Sequence, residues 1–283
     1  MPALGIDIGA SKIAVSASAG GRVLFEHALP LDAGLPPDAV LPPLLAYLRT
    51  QAASCGGFRA IALASAPNLD AEGRVTRWPN HPHWDGTALV PLFAPLARDE
   101  IAWCDDGTAA TIADAHALAT DGLIHLSLGT GVGGGILFDN RIVRDREPGH
   151  LLVQPDGLPC RCGRNGCLQA YASGRALAQH LADDGDEAAW WSRAVRMLAI
   201  TIANLVELFR SPVVTLSGGL SQRFPALCEA ITVQLRERYL KPSLALPTIM
   251  LSPHGSNASL QGALILAGAA APHRAACQLV RLC

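Results

Sequence analysis

Three cysteines and a histidine fall within eighteen consecutive positions, His150 to Cys167, in the stretch HLLVQPDGLPCRCGRNGC. Nine residues separate His150 from Cys160, one separates Cys160 from Cys162, and four separate Cys162 from Cys167. Three thiolates and one imidazole form the donor set of a closed tetrahedral zinc site, which keeps no open position and so implies a structural metal. Gly149, Gly157, Gly163 and Gly166, with Pro155 and Pro159, supply the tight turns for so short a wrap. A redox-active thiol pair and unrelated buried thiols are the competing readings. Eight cysteines would also allow four disulfides. A core-rich chain with no secretory leader points instead to the cytoplasm, where thiols stay reduced. Cys55, Cys104, Cys228, Cys277 and Cys283 are most simply small buried hydrophobes.

Two glycine turns offer phosphate chemistry. DIGASK, Asp7 to Lys12, lacks bulky side chains, so its backbone N–H groups can approach a phosphate. Ser11 and Lys12 add a hydroxyl and a cation, and Asp7 could hold Mg²⁺ directly or through water. An ordinary hairpin turn would look the same. LGTGVGGG, Leu128 to Gly135, is more specific, because so many glycines cost too much entropy for a plain turn. SGG, Ser217 to Gly219, ends an apolar run and precedes a helical one, either as a simple junction or at the sheet edge where ligands bind. CDDGTAA sets Asp105 and Asp106 at a strand end before a helix. There a carboxylate serves as an N-cap or as a general base for a hydroxyl.

These residues need elements to hold them. ALGIDIGASKIAVSASAGGRVLFEHAL reads strand, glycine turn, strand, turn, strand, and LIHLSLGTGVGGGILFDNRIV repeats the plan. One hairpin design used twice suggests a duplicated α/β domain. FRAIALASA, IAWCDD and PVVTLSGG are further strands. GTAATIADAHALAT, LQAYASGRALAQHLA, AAWWSRAVRMLAITIANLVELFR and SLQGALILAGAA are helices. The expected domains are residues 1–117 with a C-terminal helix at about 270–283, and residues 118–269. The 283 residues suffice for two such cores. No apolar run reaches the roughly 18 positions of a membrane span. A formal net charge of −2 gives no reason to expect nucleic acid or an anionic membrane as partner.

Together these pieces resemble the ROK family (repressor, open reading frame, kinase). The most specific stretch is EPGHLLVQPDGLPCRCGRNGCLQAYASG, Glu147 to Gly174, similar to the family's E-x-G-H followed by C-x-C-G-x-x-G-C. GIDIGASK, LGTGVGGGI and SGG follow the family order. The resemblance implies an α/β, two-domain actin-like (ribonuclease H-like) fold with an interdomain cleft and a structural zinc loop. It implies phosphorylation of a sugar hydroxyl from Mg-ATP, with sugar and ATP as small-molecule partners and a homodimer as the assembly. Asp106 matches the base. Asp7, Gly9, Ser11 and Lys12 match the first phosphate loop. Thr130, Gly131 and Gly133 match the second, and Gly218 and Gly219 the nucleotide-side glycines. Asn80, Glu147 and His150 match sugar contacts, with His150 also binding zinc. The metal would thereby pin the loop that touches the acceptor.

Several positions depart from the family pattern. Asp105 replaces an asparagine, Gln169 a glutamate, and Asn68 the glycine of a Pro-Gly pair; the segment NRIVRDREPGH is short. Phosphate machinery is kept while the acceptor side, including Asp105 and Gln169, is altered. The expected acceptor is the 6-hydroxyl of a glucose-type hexose or amino sugar. The alternatives are N-acetylmannosamine or an amino sugar with its nitrogen near C3, such as kanosamine. An ionised Asp105 offers acceptors only, which favours an ammonium partner. A sugar-responsive repressor would carry a helix-turn-helix ahead of the first loop, and none fits before Asp7. A sugar-binding module without catalysis would not need Asp106.

Overall fold

The computed structural model describes residues 1–32, 34–143, 146–183, 185–268 and 278–281. Backbone contacts divide the chain into two units, Met1–Ala113 with Ser259–Cys283, and Asp114–Ala258.

The first unit opens with the antiparallel run β1 (Ala3–Ile8), β2 (Lys12–Ala19) and β3 (Arg22–Pro30). Helix α1 (Pro37–Cys55) follows, then β4 (Phe58–Ser65), the small hairpin β5 (Asn68–Leu69) and β6 (Val75–Arg77), and α2 (Leu89–Phe93). β7 (Ala97–Asp105) leads into α3 (Asp106–Leu118), which runs across the division. β4 joins β1 in parallel, and β7 joins β4 in parallel. The core holds Ile6, Ile61, Leu63, Trp78, Trp84 and Phe93.

α1 was not foreseen, because Pro42 and Pro43 stand inside it. A proline in a helix interior costs about 3 kcal/mol. Val40, Leu41, Leu44, Leu45 and Leu48 are buried on its inner face, at about 1.5–3 kcal/mol for each fully buried side chain. Five anchors outweigh two breakers.

The second unit repeats the plan with β8 (Leu123–Leu128), β9 (Val132–Phe138) and β10 (Arg141–Ile142) as an antiparallel run. Then come α4 (Gln169–Ala172), α5 (Gly174–Ala182), α6 (Glu187–Phe209), β11 (Val213–Ser217), α7 (Gly219–Arg223), α8 (Leu227–Gln234) and β12 (Thr248–Leu251). β11 pairs in parallel with both β8 and β12. The strand orders β3-β2-β1-β4-β7 and β10-β9-β8-β11-β12 are the same design made twice. α6 packs Trp190, Leu198, Ile202 and Leu205 onto this sheet's core. Its N-cap Asp186 accepts from Ala189 N–H at 2.8 Å.

Two expectations change. LQAYASGRALAQHLA is two helices: Ser173 between them is extended, at φ −103° and ψ 160°, and its Oγ caps α5 through Ala176 N–H at 3.1 Å. The C-terminal segment is a strand where described: β13 (Gln278–Arg281) pairs antiparallel with β7. The remainder of the expected 270–283 helix lies outside the described residues. α9 (Ala258–Ala267) belongs almost wholly to the first unit instead of the second. Gly5 on β1 lets it approach closely, since a Cβ there would lie 2.8 Å from Leu264 N.

Among the described residues no helix is long and apolar enough to cross a membrane, and no cysteine pair is bridged. Cys55, Cys104 and Cys228 are half-buried, less enclosed than expected. Cys277 and Cys283 lie outside the described residues.

Candidate active site

In the first unit the site grows from strand register. Asp7 pairs with Ala64 and Ala64 with Cys104; one step on, Ile8, Ser65 and Asp105 share a row. β1, β4 and β7 therefore end together at one carboxyl edge, where open α/β sheets take ligands. Asp105 Oδ1 accepts from Thr108 N–H at 2.7 Å, an N-cap on α3. Asp106 Oδ1 accepts from Gly107 N–H at 2.8 Å. Asp105 is exposed and Asp106 half-buried. Asp7 is 5% exposed. Burial, reinforced by the negative charge of Asp106 and opposed by Lys12, pushes its carboxyl up to about 7. A buried carboxylate with a second one in its field suits a cation, so Asp7 fits the Mg²⁺ that accompanies ATP.

The first glycine turn closes through Gly9 N–H donating to Lys12 O at 3.0 Å. Ser11 is exposed, and Lys12 opens β2. His81, which the sequence reading missed, holds this turn: its Nε2–H donates to Ala10 O at 2.8 Å. The ring is 1% exposed and packs against Trp78, with ring centroids 4.3 Å apart. Asn80 precedes it and is half-buried, so His81 fixes the loop that carries the expected sugar contact. The aromatic setting of His81 in WPNHPHW was the available signal.

In the second unit the turn between β8 and β9 closes through Gly129 N–H and Gly131 O at 3.0 Å. Gly133 lies inside β9, paired with Ser127, and not in the turn. The break at Ser173 has a purpose here. It lets Gly174 N–H donate to Gly129 O at 2.8 Å, and Arg175 N–H to Thr130 O at 3.3 Å. Gly218, at φ +89°, leads into α7, which Gly219 begins; a Cβ on Gly218 would sit 2.5 Å from the Leu128 carbonyl. The SGG turn thus seats against the start of the second glycine turn.

Ligand atoms of His150, Cys160, Cys162 and Cys167 all lie within 4.8 Å of one another. Cys162 and Cys167 sulfurs are 3.6 Å apart, and His150 Nδ1 is 3.6 Å from Cys160 Sγ. Zinc–sulfur bonds of about 2.3 Å place tetrahedral sulfurs about 3.8 Å apart, so the group fits such an ion. A backbone hydrogen bond from Arg164 leads the contributions that lower the Cys162 thiol to about 6, while burial first of all raises Cys167 to about 12. The other histidine nitrogen, Nε2, meets different partners. It lies 3.5 Å from Glu147 Oε2 and 3.5 Å from Gln169 Nε2. Gln169 Nε2 also donates to Cys160 Sγ at 3.2 Å. Its Oε1 would be 3.1 Å from a Cβ on Gly131. Gln169 therefore links the cysteine loop to the second glycine turn. Arg144 and Asp145 of the shortened segment lie outside the described residues.

Thr130 and Gly131 line a cavity of about 580 Å³ that also meets Arg161, Arg175 and Arg193. Burial, then the charge of Arg161, lowers the pKa of the Arg175 guanidinium. Cations gathered beside a glycine turn suit a polyanionic ligand. The sequence reading missed all three arginines, which sit on separate elements with no shared spacing.

Two matched sheets with glycine turns at their carboxyl edges, an aspartate at a helix start and a Cys₃His loop define the class. The ROK family profile matches residues 3–270, and the chain belongs to that family. It is 30% identical to the kanosamine kinase of Amycolatopsis mediterranei, over 94% of this chain and 95% of that enzyme. It is 31% identical to the N-acetyl-D-glucosamine kinase of Shigella flexneri, over 93% of this chain and 98% of that one. The ROK hexokinase of Thermus thermophilus superposes with a TM-score of 0.76 at 28% identity, covering 93% of this chain and 97% of that one. The fold is thus the actin-like ATPase fold of ROK kinases.

Proposed function

We propose that the protein is an ATP-dependent kinase for the 6-hydroxyl of a glucose-type hexose or amino sugar. One observation carries the reading: Asp106 stands at the carboxyl edge of the first sheet, at the start of α3 and in the field of Asp7. Asp106 takes the proton of the acceptor hydroxyl. The freed oxygen bonds to the γ-phosphorus while its bond to the β-phosphate oxygen breaks and ADP leaves. Such transfer needs positioning and charge neutralisation more than covalent help. Lys12, Ser11 and the backbone of Gly9 serve the phosphates in the first unit; Thr130, Gly131, Arg175 and the Gly218–Gly219 turn serve the nucleotide in the second. Mg²⁺, near Asp7, neutralises phosphate charge when bound.

His150 Nδ1 and the three thiolates would hold zinc, which would supply rigidity. With the loop so pinned, His150 Nε2 and Glu147 would be held for the acceptor. Asn80, held by its neighbour His81, serves the same ligand.

A narrower reading has its own support. Asp105 presents a carboxylate beside Asp106, and a sugar ammonium there would gain a charge-assisted bond and relieve the repulsion between the two. Likeness to a kanosamine kinase points the same way. We therefore infer an amino sugar with nitrogen near C3 as the preferred acceptor.

The test is ATP turnover with glucose, glucosamine, N-acetylmannosamine and kanosamine, for wild type and Asp106→Asn. Wild type should phosphorylate at least one of them. Asp106→Asn should bind that sugar normally and lose about 10²–10⁴ in kcat. Wild-type turnover in Asp106→Asn would overturn the assignment.

A further inference from the structure

A buried polar chain in the second unit plays no part in the site described so far. Asp114, His125 and Thr215 are 0% exposed, Ser217 is 5% and Ser252 7%. Asp114 Oδ2 lies 2.9 Å from His125 Nδ1, and its Oδ1 accepts from the Ser252 hydroxyl at 2.7 Å. His125 Nε2 is 2.9 Å from Ser217 Oγ. Ser252 N–H in turn donates to Leu216 O at 2.8 Å. The chain thus starts on α3, crosses β8, and ends at the last residue of β11, directly before Gly218.

We propose that Asp114, His125 and Ser217 are positioning residues that set the nucleotide-binding turn Ser217–Gly219. The inference rests on the kinase reading above. Burial would raise the Asp114 carboxyl, but the hydrogen bond and charge of His125, with the hydroxyls of Thr215 and Ser252, hold it below the ordinary range. An ionised Asp114 only accepts, so His125 Nδ1 must carry the proton that points to it. At its other nitrogen, Nε2, the ring is hydrogen-bonded to the Ser217 hydroxyl at 2.9 Å. That bond fixes Ser217 where the backbone turns into Gly218, whose left-handed φ and close approach to Leu128 leave little room for error. In a low-dielectric interior such linked bonds reinforce one another. An apolar trio could fill the same space, but it would not fix the direction of the turn. Asp114 also lies eight residues, about 12 Å, along α3 from Asp106.

The test compares wild type, Ser217→Ala, Ser217→Thr and Asp114→Asn. KM is measured for ATP and for sugar, and Kd for a non-hydrolysable ATP analogue by calorimetry. Ser217→Ala should weaken ATP by about tenfold in KM and Kd, the scale of one lost hydrogen bond, with sugar KM and kcat within about twofold. Ser217→Thr, which restores the hydroxyl, should recover most of the loss, and Asp114→Asn should repeat the ATP-selective defect. If Asp114→Asn does not fold, the two Ser217 variants decide. Unchanged ATP affinity in folded Ser217→Ala, or a loss shared equally with sugar, overturns this inference alone. A wild-type chain that binds no Mg-ATP overturns the kinase reading, and this inference with it.

Discussion

Asp7 is buried in the field of Asp106, and the two carboxylates cannot both be charged there without cost. Burial acts first and Asp106 second in raising the Asp7 carboxyl from 3.8 to about 7. The folded state therefore holds a proton that the unfolded chain gives up between pH 4 and 7. Stability falls as pH rises through that window, and the loss is complete above it, at about 4 kcal/mol for the full shift. Asp7→Asn removes the titrating group. Its Tm should match wild type near pH 4, rise above it as pH approaches 7, and then hold a constant lead, while kinase activity is lost. Thermal melts of both proteins from pH 4 to 8 check this; a gap that does not grow with pH contradicts it.

The cysteine loop should contain one zinc per chain in protein prepared without chelator, as read by elemental analysis. Cys167→Ser should lower both zinc content and Tm, because Cys167 is buried and closes the group. Sugar KM should suffer more than ATP KM, because His150 Nε2 and Glu147 turn with the loop. Zinc-free wild-type protein that is stable and fully active rules the site out.

Arg175 should act on the nucleotide. It lines the cavity beside Thr130, and its backbone N–H bonds to Thr130 O. Arg175→Ala should raise KM for ATP by about tenfold, the scale of a lost charge-assisted bond, with sugar KM little changed. Arg175→Lys should recover part of the loss. Steady-state kinetics with each substrate varied in turn settles it; equal effects on both substrates argue for a structural role.

Much of this was legible because local chemistry dictated it. The two glycine hairpins and the order of strands around them follow from alternation and turn residues. The Cys₃His group follows from spacing alone. What was hidden depended on tertiary burial. α1 contains Pro42 and Pro43, which read as breakers until five buried side chains outweigh them. Ser173 looks helical in sequence, yet it breaks the helix so that Gly174 can bond to Gly129. His81, Arg193 and the chain from Asp114 through His125 to Ser217 join residues far apart in sequence, and no spacing rule announces such meetings. Gln169 was expected on the acceptor; what the sequence did not announce is that it also bonds to Cys160 Sγ and lies 3.5 Å from His150 Nε2.

Asp105 is the residue on which acceptor choice should turn. It does two things at once, and the two can be separated. Its Oδ1 caps α3 through Thr108 N–H, a task asparagine performs as well. Its negative charge, beside Asp106, is what asparagine lacks. Asp105→Asn should therefore keep stability within about 0.5 kcal/mol of wild type while removing the attraction for an ammonium. Wild type should favour kanosamine over glucose in kcat/KM. In Asp105→Asn that ratio should fall by about tenfold, chiefly through a higher kanosamine KM, because a charge-assisted bond is roughly twice as strong as a neutral one. Glucose, which meets Asp105 only through neutral hydroxyls, should change little. The pH profile adds a check, since the preference should weaken at high pH as the sugar amine loses its proton. Paired kcat/KM measurements at two pH values decide the matter. A wild type that prefers glucose, or a preference untouched by Asp105→Asn, would show that Asp105 is a helix cap and nothing more.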